Sequence, residues 1–407
     1  MTIEARAREF DLADPLAAAR ALFRLPDGVI YLDGNSLGAL PRATPQVLAR
    51  VVEEEWGEGL IGSWNRAGWF DMAARVGGKI APLIGAAPQE VIACDSTSIN
   101  LFKLIAAALQ LRPGRKVILS EPGNFPTDLY MIAGLEAQGL ARRRLAAPER
   151  LAETLDGDVA LLLLTHVHYK TGAVHDMAAL TKAAHAAGAL VLWDLSHSAG
   201  ALPVDLNAAG ADFAVGCGYK YLCGGPGAPA YAFVSARHLP RLSQPLTGWF
   251  GHEAPFAFVD DYAPAPGIAR LLAGTPPILG LAALEVGVDL IASLGVARLY
   301  AKAQALSQFF LECLEALGVE LELASPADAA ARGSHLAFRH REAHAICQAL
   351  IARGVIGDFR DPDVLRLGFA PAYLSFADMA AAARHLAEVL ARGEWQRPEF
   401  RRRAAVT

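Results

Sequence analysis

Residues 159–195 read VALLLLTHVHYKTGAVHDMAALTKAAHAAGALVLWDL, and this stretch decides the fold. It opens on an apolar run, Val159–Val167. It continues into MAALTKAAHAAG, which has helical texture and a stop at Gly188. It closes on a second apolar run, Ala189–Leu195. Strand, helix and strand over this distance make a βαβ unit. Both runs are apolar on each face, the pattern of strands covered on both sides. Working outward, Lys116–Ser120 (KVILS), Ala211–Gly216 (ADFAVG) and Ala228–Val234 (APAYAFV) repeat it. Several such units in series predict an α/β fold with a mostly parallel sheet and helices on both faces.

The texture changes after about residue 275. Helical stretches are expected over Ile278–Leu294, Ala297–Leu317 and Phe376–Arg392, with strands at Val319–Leu323 and His335–Phe338. This reads as a smaller α+β domain, 276–407, beside a large domain, 31–275, with 1–30 packing on the small one. The proline-rich Ala263–Pro266 is a loop candidate.

Composition limits the function classes. The chain has 407 residues, enough for two cores, and 53% of them are hydrophobic, far from the composition of disorder. A net charge of −5 offers no basic surface for nucleic acid, and the Arg401–Arg403 run is short. No apolar run has the length to span a bilayer, and Met1–Phe10 lacks the apolar stretch of a secretory signal. Five cysteines, at 94, 217, 223, 313 and 347, form no CxxC pair, which fits reduced thiols in a cytoplasmic protein. His166, His168 and His175 are joined by no carboxylate or thiol cluster, so no metal is expected.

Ligands of open α/β sheets bind at the carboxyl ends of the strands. After Ala189–Trp193 comes Asp194-Leu195-Ser196-His197; after Ala211–Gly216 comes Cys217-Gly218-Tyr219-Lys220-Tyr221, then Gly224-Gly225-Pro226-Gly227. After Lys116–Ser120 comes a loop holding Phe125 and Asp128, and after the leucine block 161–164 comes Thr165. Pyridoxal phosphate chemistry uses this set. Lys220 supplies an amine for the aldehyde, and Asp194 a carboxylate to keep the pyridine nitrogen protonated. Phe125 offers a ring to stack on the cofactor. Asp95-Ser96-Thr97-Ser98, before the apolar helix Asn100–Leu109, offers hydroxyls and N–H groups for a phosphate. A lone lysine after a strand is ordinarily a surface residue, and an aspartate there a turn former. Asp194 and Lys220 together, one βα step apart, are hard to obtain by accident.

The order TSIN (97–100), FPTD (125–128), THVHYKTG (165–172), WDLSH (193–197) and GCGYKYLCGGPG (216–227) resembles the kynureninase family. These are fold-type-I pyridoxal phosphate enzymes close to class V aminotransferases. The likeness extends to LDGNSLGAL (32–40), GWFGH (248–252), AGTPP (273–277) and GVIGDFRDPDVLRL (354–367). It implies an aspartate-aminotransferase-like large domain with a seven-stranded sheet. It implies hydrolysis of L-kynurenine, with 3-hydroxy-L-kynurenine a further candidate, to anthranilate and L-alanine in tryptophan catabolism. It assigns Lys220 to the Schiff base and Asp194 to the pyridinium, with Tyr219 on the phosphate as a proton relay. Thr97, Ser98, Phe125, Asp128, Thr165 and His197 would line the cofactor. Trp249 and Thr275 would reach in from the partner of a homodimer, Arg366 would grip the substrate carboxylate, and Trp64 and Gly274 would border the aryl pocket. Cys223 departs from the pattern, where a polar residue such as Asn is expected. Alternatives are a cysteine desulfurase, which needs an exposed nucleophilic cysteine, a class V aminotransferase, and a catalytically silent binding module.

Overall fold

A computed structural model describes residues 2–403. Seven strands form the main sheet: β1 (Val91–Ala93), β2 (Val117–Ser120), β3 (Arg142–Leu145), β4 (Val159–Thr165), β5 (Leu190–Asp194), β6 (Phe213–Gly216) and β7 (Tyr231–Val234). Their order is β1-β7-β6-β5-β4-β2-β3. Strands β2 to β6 pair in parallel, whereas β7 runs antiparallel to both β1 and β6. The apolar pattern of β7 signalled burial on two faces, which carries no direction.

Two strands of this sheet escaped the sequence reading. β1 is only three residues long. β3 is Arg142-Arg143-Arg144-Leu145, without an apolar face, because it is an edge strand. Charged side chains on an edge discourage pairing with another chain.

The helices that matter for the site are α1 (Ile3–Ala13), α2 (Thr97–Leu111), α3 (Pro126–Ala137), α4 (Met177–Ala186), α5 (Ile278–Leu294), α6 (Val296–Ala316) and α7 (Phe376–Ala391). Gly188 takes the left-handed conformation just past α4, φ 76°, as the βα crossover requires. α2 starts earlier than its apolar pattern. Ser96 is its N-cap, accepting from the Ile99 N–H at 3.4 Å, so Thr97 and Ser98 lie in the first helical turn.

A second sheet follows, of β8 (Glu322–Leu323), β9 (His335–Arg339), β10 (Asp358–Arg360) and β11 (Val364–Gly368), in the order β8-β9-β11-β10 and antiparallel throughout. The N-terminal residues pack on this part. Asp11 of α1 accepts from the Phe376 and Ala377 N–H groups at 2.7 and 3.0 Å, capping α7, and Ile30–Tyr31 pairs with Val355–Ile356. Met1 and 404–407, at the ends of the expected domain spans, lie outside the described residues. Buried apolar residues of both sheets form one continuous cluster. Among the described residues no single helix is long and apolar enough to cross a membrane.

Candidate active site

Parallel register brings the carboxyl ends of four strands together. Thr165 ends β4 and Asp194 ends β5, and the two are Cα partners. β6 leads into Lys220, and β2 into the loop that carries Phe125 and Asp128. The Lys220 side chain is buried, with its amine 3.4 Å from His197 Nε2, 5.5 Å from the Phe125 ring centroid and 5.8 Å from that of Tyr219. The backbone behind it is closely packed. The Gly38 N–H donates to the Tyr219 carbonyl at 2.8 Å, and a Cβ on Gly38 would lie 2.2 Å from the Lys220 carbonyl oxygen. Only glycine permits that approach.

Burial sets the protonation of this group. It lowers the Lys220 pKa, against the pull of Cys217 and Asp194. It raises that of Asp194, against the Ser196 hydrogen bonds and Lys220. It raises Asp128 well above the carboxylate range, reinforced by Asp194. His197 is pushed far down by burial and then by the Lys220 charge, so its imidazole stays neutral. An amine displaced toward its neutral form is a nucleophile for a carbonyl.

Asp128 is fully buried, yet among the described residues neither carboxylate oxygen has a hydrogen-bond partner, and Thr165 Oγ1 is bare as well. Each such group costs about 1–3 kcal/mol. Orphans of this kind, gathered round one buried amine, fit a polar group that the chain itself does not supply.

Two helix N-termini meet nearby. Ser98 in the first turn of α2 and Thr127 in the first turn of α3 bring their hydroxyls to 3.4 Å. The free N–H groups of such turns attract anions. Thr127 was passed over in the sequence although it lies within FPTD; a helix start behind Pro126 was its signal.

Arg366 lies in a neighbouring compartment. Its guanidinium makes a bidentate pair with Asp358, its cross-strand partner, and donates to Ser36 Oγ at 2.9 Å and to the Tyr169 carbonyl at 2.5 Å. The Tyr169 ring packs edge-on against Phe125, centroids 5.2 Å apart, so one residue joins both compartments. Asp358, Tyr169 and Ser36 were missed as site neighbours, as was His335. That imidazole is buried 5.8 Å from the His197 ring, with both nitrogens unpartnered.

Four expected residues gather elsewhere. Trp64 packs on Phe250 at 5.8 Å and Trp249 on the same ring at 4.9 Å. The Phe250 N–H donates to the Ala273 carbonyl at 3.2 Å, which sets Gly274 and Thr275 beside this cluster. Trp249, Gly274 and Thr275 are exposed. Within the chain, Trp64 and Gly274, expected to border the aryl pocket, stand beside Trp249 and Thr275, the two residues expected to reach in from a partner subunit. Aromatic side chains cluster with their nearest apolar neighbours, here on the loop 248–251.

His166 bonds Ser198 Oγ at 2.9 Å, His168 the Gly123 carbonyl at 3.0 Å and His175 the Glu121 carboxylate at 3.0 Å. The last two tie down the loop that carries Phe125.

Comparison with known proteins shows the family. Residues 299–386 match the family model for the kynureninase C-terminal domain. The chain is 50% identical to kynureninase of Pseudomonas fluorescens over 98% of either chain, and 50% identical to that of Burkholderia mallei over the full length of both. The chain belongs to the kynureninase family. Among solved structures, apo cysteine desulfurase from Thermococcus onnurineus superposes with a TM-score of 0.80 at 19% identity, covering 93% of this chain and 98% of its own. The cystine C-S lyase C-DES in complex with cysteine persulfide gives 0.79 at 18% identity, over 89% and 98%. These likenesses show the shared fold.

Proposed function

We propose that this chain is a kynureninase, a pyridoxal-phosphate-dependent hydrolase that cleaves L-kynurenine to anthranilate and L-alanine. Full-length identity of 50% to kynureninases supports the activity. The observation that carries the site is the buried Lys220 amine ringed by Phe125, His197, Asp194 and the unpartnered oxygens of Asp128 and Thr165. These residues fit the cofactor. Lys220 would bond its aldehyde, Asp194 would face its pyridinium nitrogen, and Phe125 would cover the ring. Thr97, Ser98 and Tyr219 would receive the phosphate at the α2 N-terminus, with Asp128, Thr165 and His197 on the edges.

Bound there, pyridoxal phosphate withdraws electrons from the substrate α-carbon. The chain's own residues do the rest. The Lys220 amine would hold and move a proton at the substrate Cα, and a buried amine with a lowered pKa suits that task. His197 stays neutral and limits the positive charge beside that amine. Asp194, a carboxylate with one internal N–H donor, holds a cation opposite it. Arg366 orients the substrate carboxylate, and Tyr219 relays protons. Water is consumed as the Cβ–Cγ bond breaks.

The exposed Trp249, Gly274 and Thr275, with Trp64 behind them, support a homodimer in which this cluster completes the partner's aryl pocket. A cytoplasmic role in tryptophan catabolism is consistent with five free cysteines, all buried. Their burial also disfavours a desulfurase. Desolvation raises the thiol of Cys313 to about 11 and that of Cys94 to about 12, opposite to what a nucleophilic thiolate requires. Purified holoprotein incubated with L-kynurenine should release fluorescent anthranilate without a 2-oxo acid; turnover only with such an acceptor would make it an aminotransferase.

A further inference from the structure

Arg366 has five N–H groups, and the fold engages most of them. Nε donates to Asp358 Oδ1, Nη2 to Asp358 Oδ2 and Ser36 Oγ, and Nη1 to the Tyr169 carbonyl. One N–H on Nη1 remains. A single N–H cannot form the paired contact that a carboxylate makes with an arginine fork. A second guanidinium stands beside it. Arg360 lies two residues from Asp358 on β10, hence on the same strand face. Its Nη2 is 2.7 Å from Asp358 Oδ2 and 3.2 Å from Ser36 Oγ, and Nη1 donates to the Phe359 carbonyl at 3.3 Å. Among the described residues, Nε and one N–H of Nη1 have no acceptor. The Arg360 side chain is 35% exposed, against 1% for Arg366.

Charge points the same way. Asp358 is pulled down to about 2 by Arg366 and Arg360 despite its burial, so it is ionised at neutral pH. Two guanidiniums against one ionised carboxylate leave a positive charge in a largely buried cluster. The other acid facing it, Asp33, is pushed up to about 7 by burial and by Asp358, and so compensates only in part. The Arg360 charge bears on Lys220, His197, Tyr219 and Tyr169, the residues that wall the cofactor compartment.

We propose that Arg360 is a second carboxylate-recognising arginine, which closes with Arg366 on the α-carboxylate of the amino-acid substrate. The inference rests on the reading that an α-amino acid binds at Lys220.

The test compares ligands with and without that carboxylate on cofactor-loaded protein. KM and kcat for L-kynurenine are measured for wild type, Arg360→Gln and Arg360→Lys, with the inhibition constant of kynuramine, the same molecule lacking the carboxylate. L-Alanine and ethylamine binding, followed by the change in cofactor absorbance, gives a readout that needs no turnover. Arg360→Gln should raise KM and weaken L-alanine by about tenfold or more, the size of a lost charge-assisted contact. Affinity for kynuramine and ethylamine should hold within about twofold, and Arg360→Lys should recover part of the loss. Equal losses for both ligand classes, or none for the carboxylates, would overturn the proposal. A wild-type protein that binds L-alanine but yields no anthranilate would sink the kynureninase reading, with the Arg360 comparison still decided by the binding data. If Arg360→Gln fails to fold, Arg360→Lys carries the same comparison, with a smaller selective loss of the carboxylate ligands expected.

Discussion

Asp194 ends β5 and Asp212 stands just before β6, so two buried carboxylates occupy opposite ends of adjacent parallel strands. Asp212 is held on every side. It accepts from Arg237 and His238, each at 2.7 Å, and from His185 and the Val191 N–H, each at 2.8 Å. Burial would raise its pKa, but these donors draw it down to about 2. Asp194 accepts the Ser196 N–H at 2.7 Å, and burial leaves its pKa raised. Both would look like turn-forming aspartates beside an apolar strand. The fold supplies a full set of donors at the structural end of the sheet, and at the other end leaves carboxylates that a ligand must complete.

Several substitutions would break or sharpen this contrast. The largest effect belongs to Lys220→Ala, which should abolish anthranilate release by about four orders of magnitude or more and remove the visible absorbance of the lysine–cofactor bond. Normal turnover would show that the unsatisfied end is not catalytic. Asp194→Asn should lower kcat on the order of 10²–10³-fold, the size of one preorganised electrostatic contact, and weaken cofactor retention on gel filtration. It should leave the stability of the cofactor-free protein nearly unchanged or raise it, because a desolvated carboxylate with one hydrogen-bond donor is removed.

Asp212→Asn should do the reverse. Removing one member of a buried charge network costs about 3 kcal/mol, read as a lower urea midpoint, with kcat within about twofold of wild type. Acid titration separates the pair again. Asp212 has a folded pKa below its ordinary 3.8, so its stabilisation is full above that value and is lost as the pH falls through about 2. In Asp212→Asn this part of the acid dependence should vanish.

The smallest effect is expected at Cys223, which follows Lys220 in the left-handed conformation, φ 53°, with Sγ 3.8 Å from the Tyr221 carbonyl. Asparagine enters that region more easily than cysteine, and its amide could replace the weak thiol donor. Cys223→Asn should therefore gain about 0.5 kcal/mol in the urea midpoint without altering KM. A loss would mean that the tight contact with Gly38 outweighs the backbone term.

What was legible in the sequence was local. The α4 crossover, the helices α5 and α7 and the buried strands β4 to β7 follow from hydrophobic periodicity, which a dozen neighbouring residues define. The carboxyl ends of β2, β5 and β6, with the loops that follow them, named Phe125, Asp194 and Lys220, since a parallel sheet sends all its carboxyl ends to one edge. The sequence also carried Cys223 as an anomaly, and its backbone angle supplies the reason.

Other features were decided only by tertiary structure. β3 is a strand because it finds an edge, against its own Arg-rich composition. Arg366 meets Asp358 through antiparallel register, which no spacing along the chain reveals. Trp64 and Trp249 meet on the Phe250 ring because aromatic packing is settled between loops far apart in sequence. Local pattern determines which residues are buried and in what element. Which polar groups are completed by the chain, and which are left for a ligand, depends on distances between strands and loops that exist only after folding.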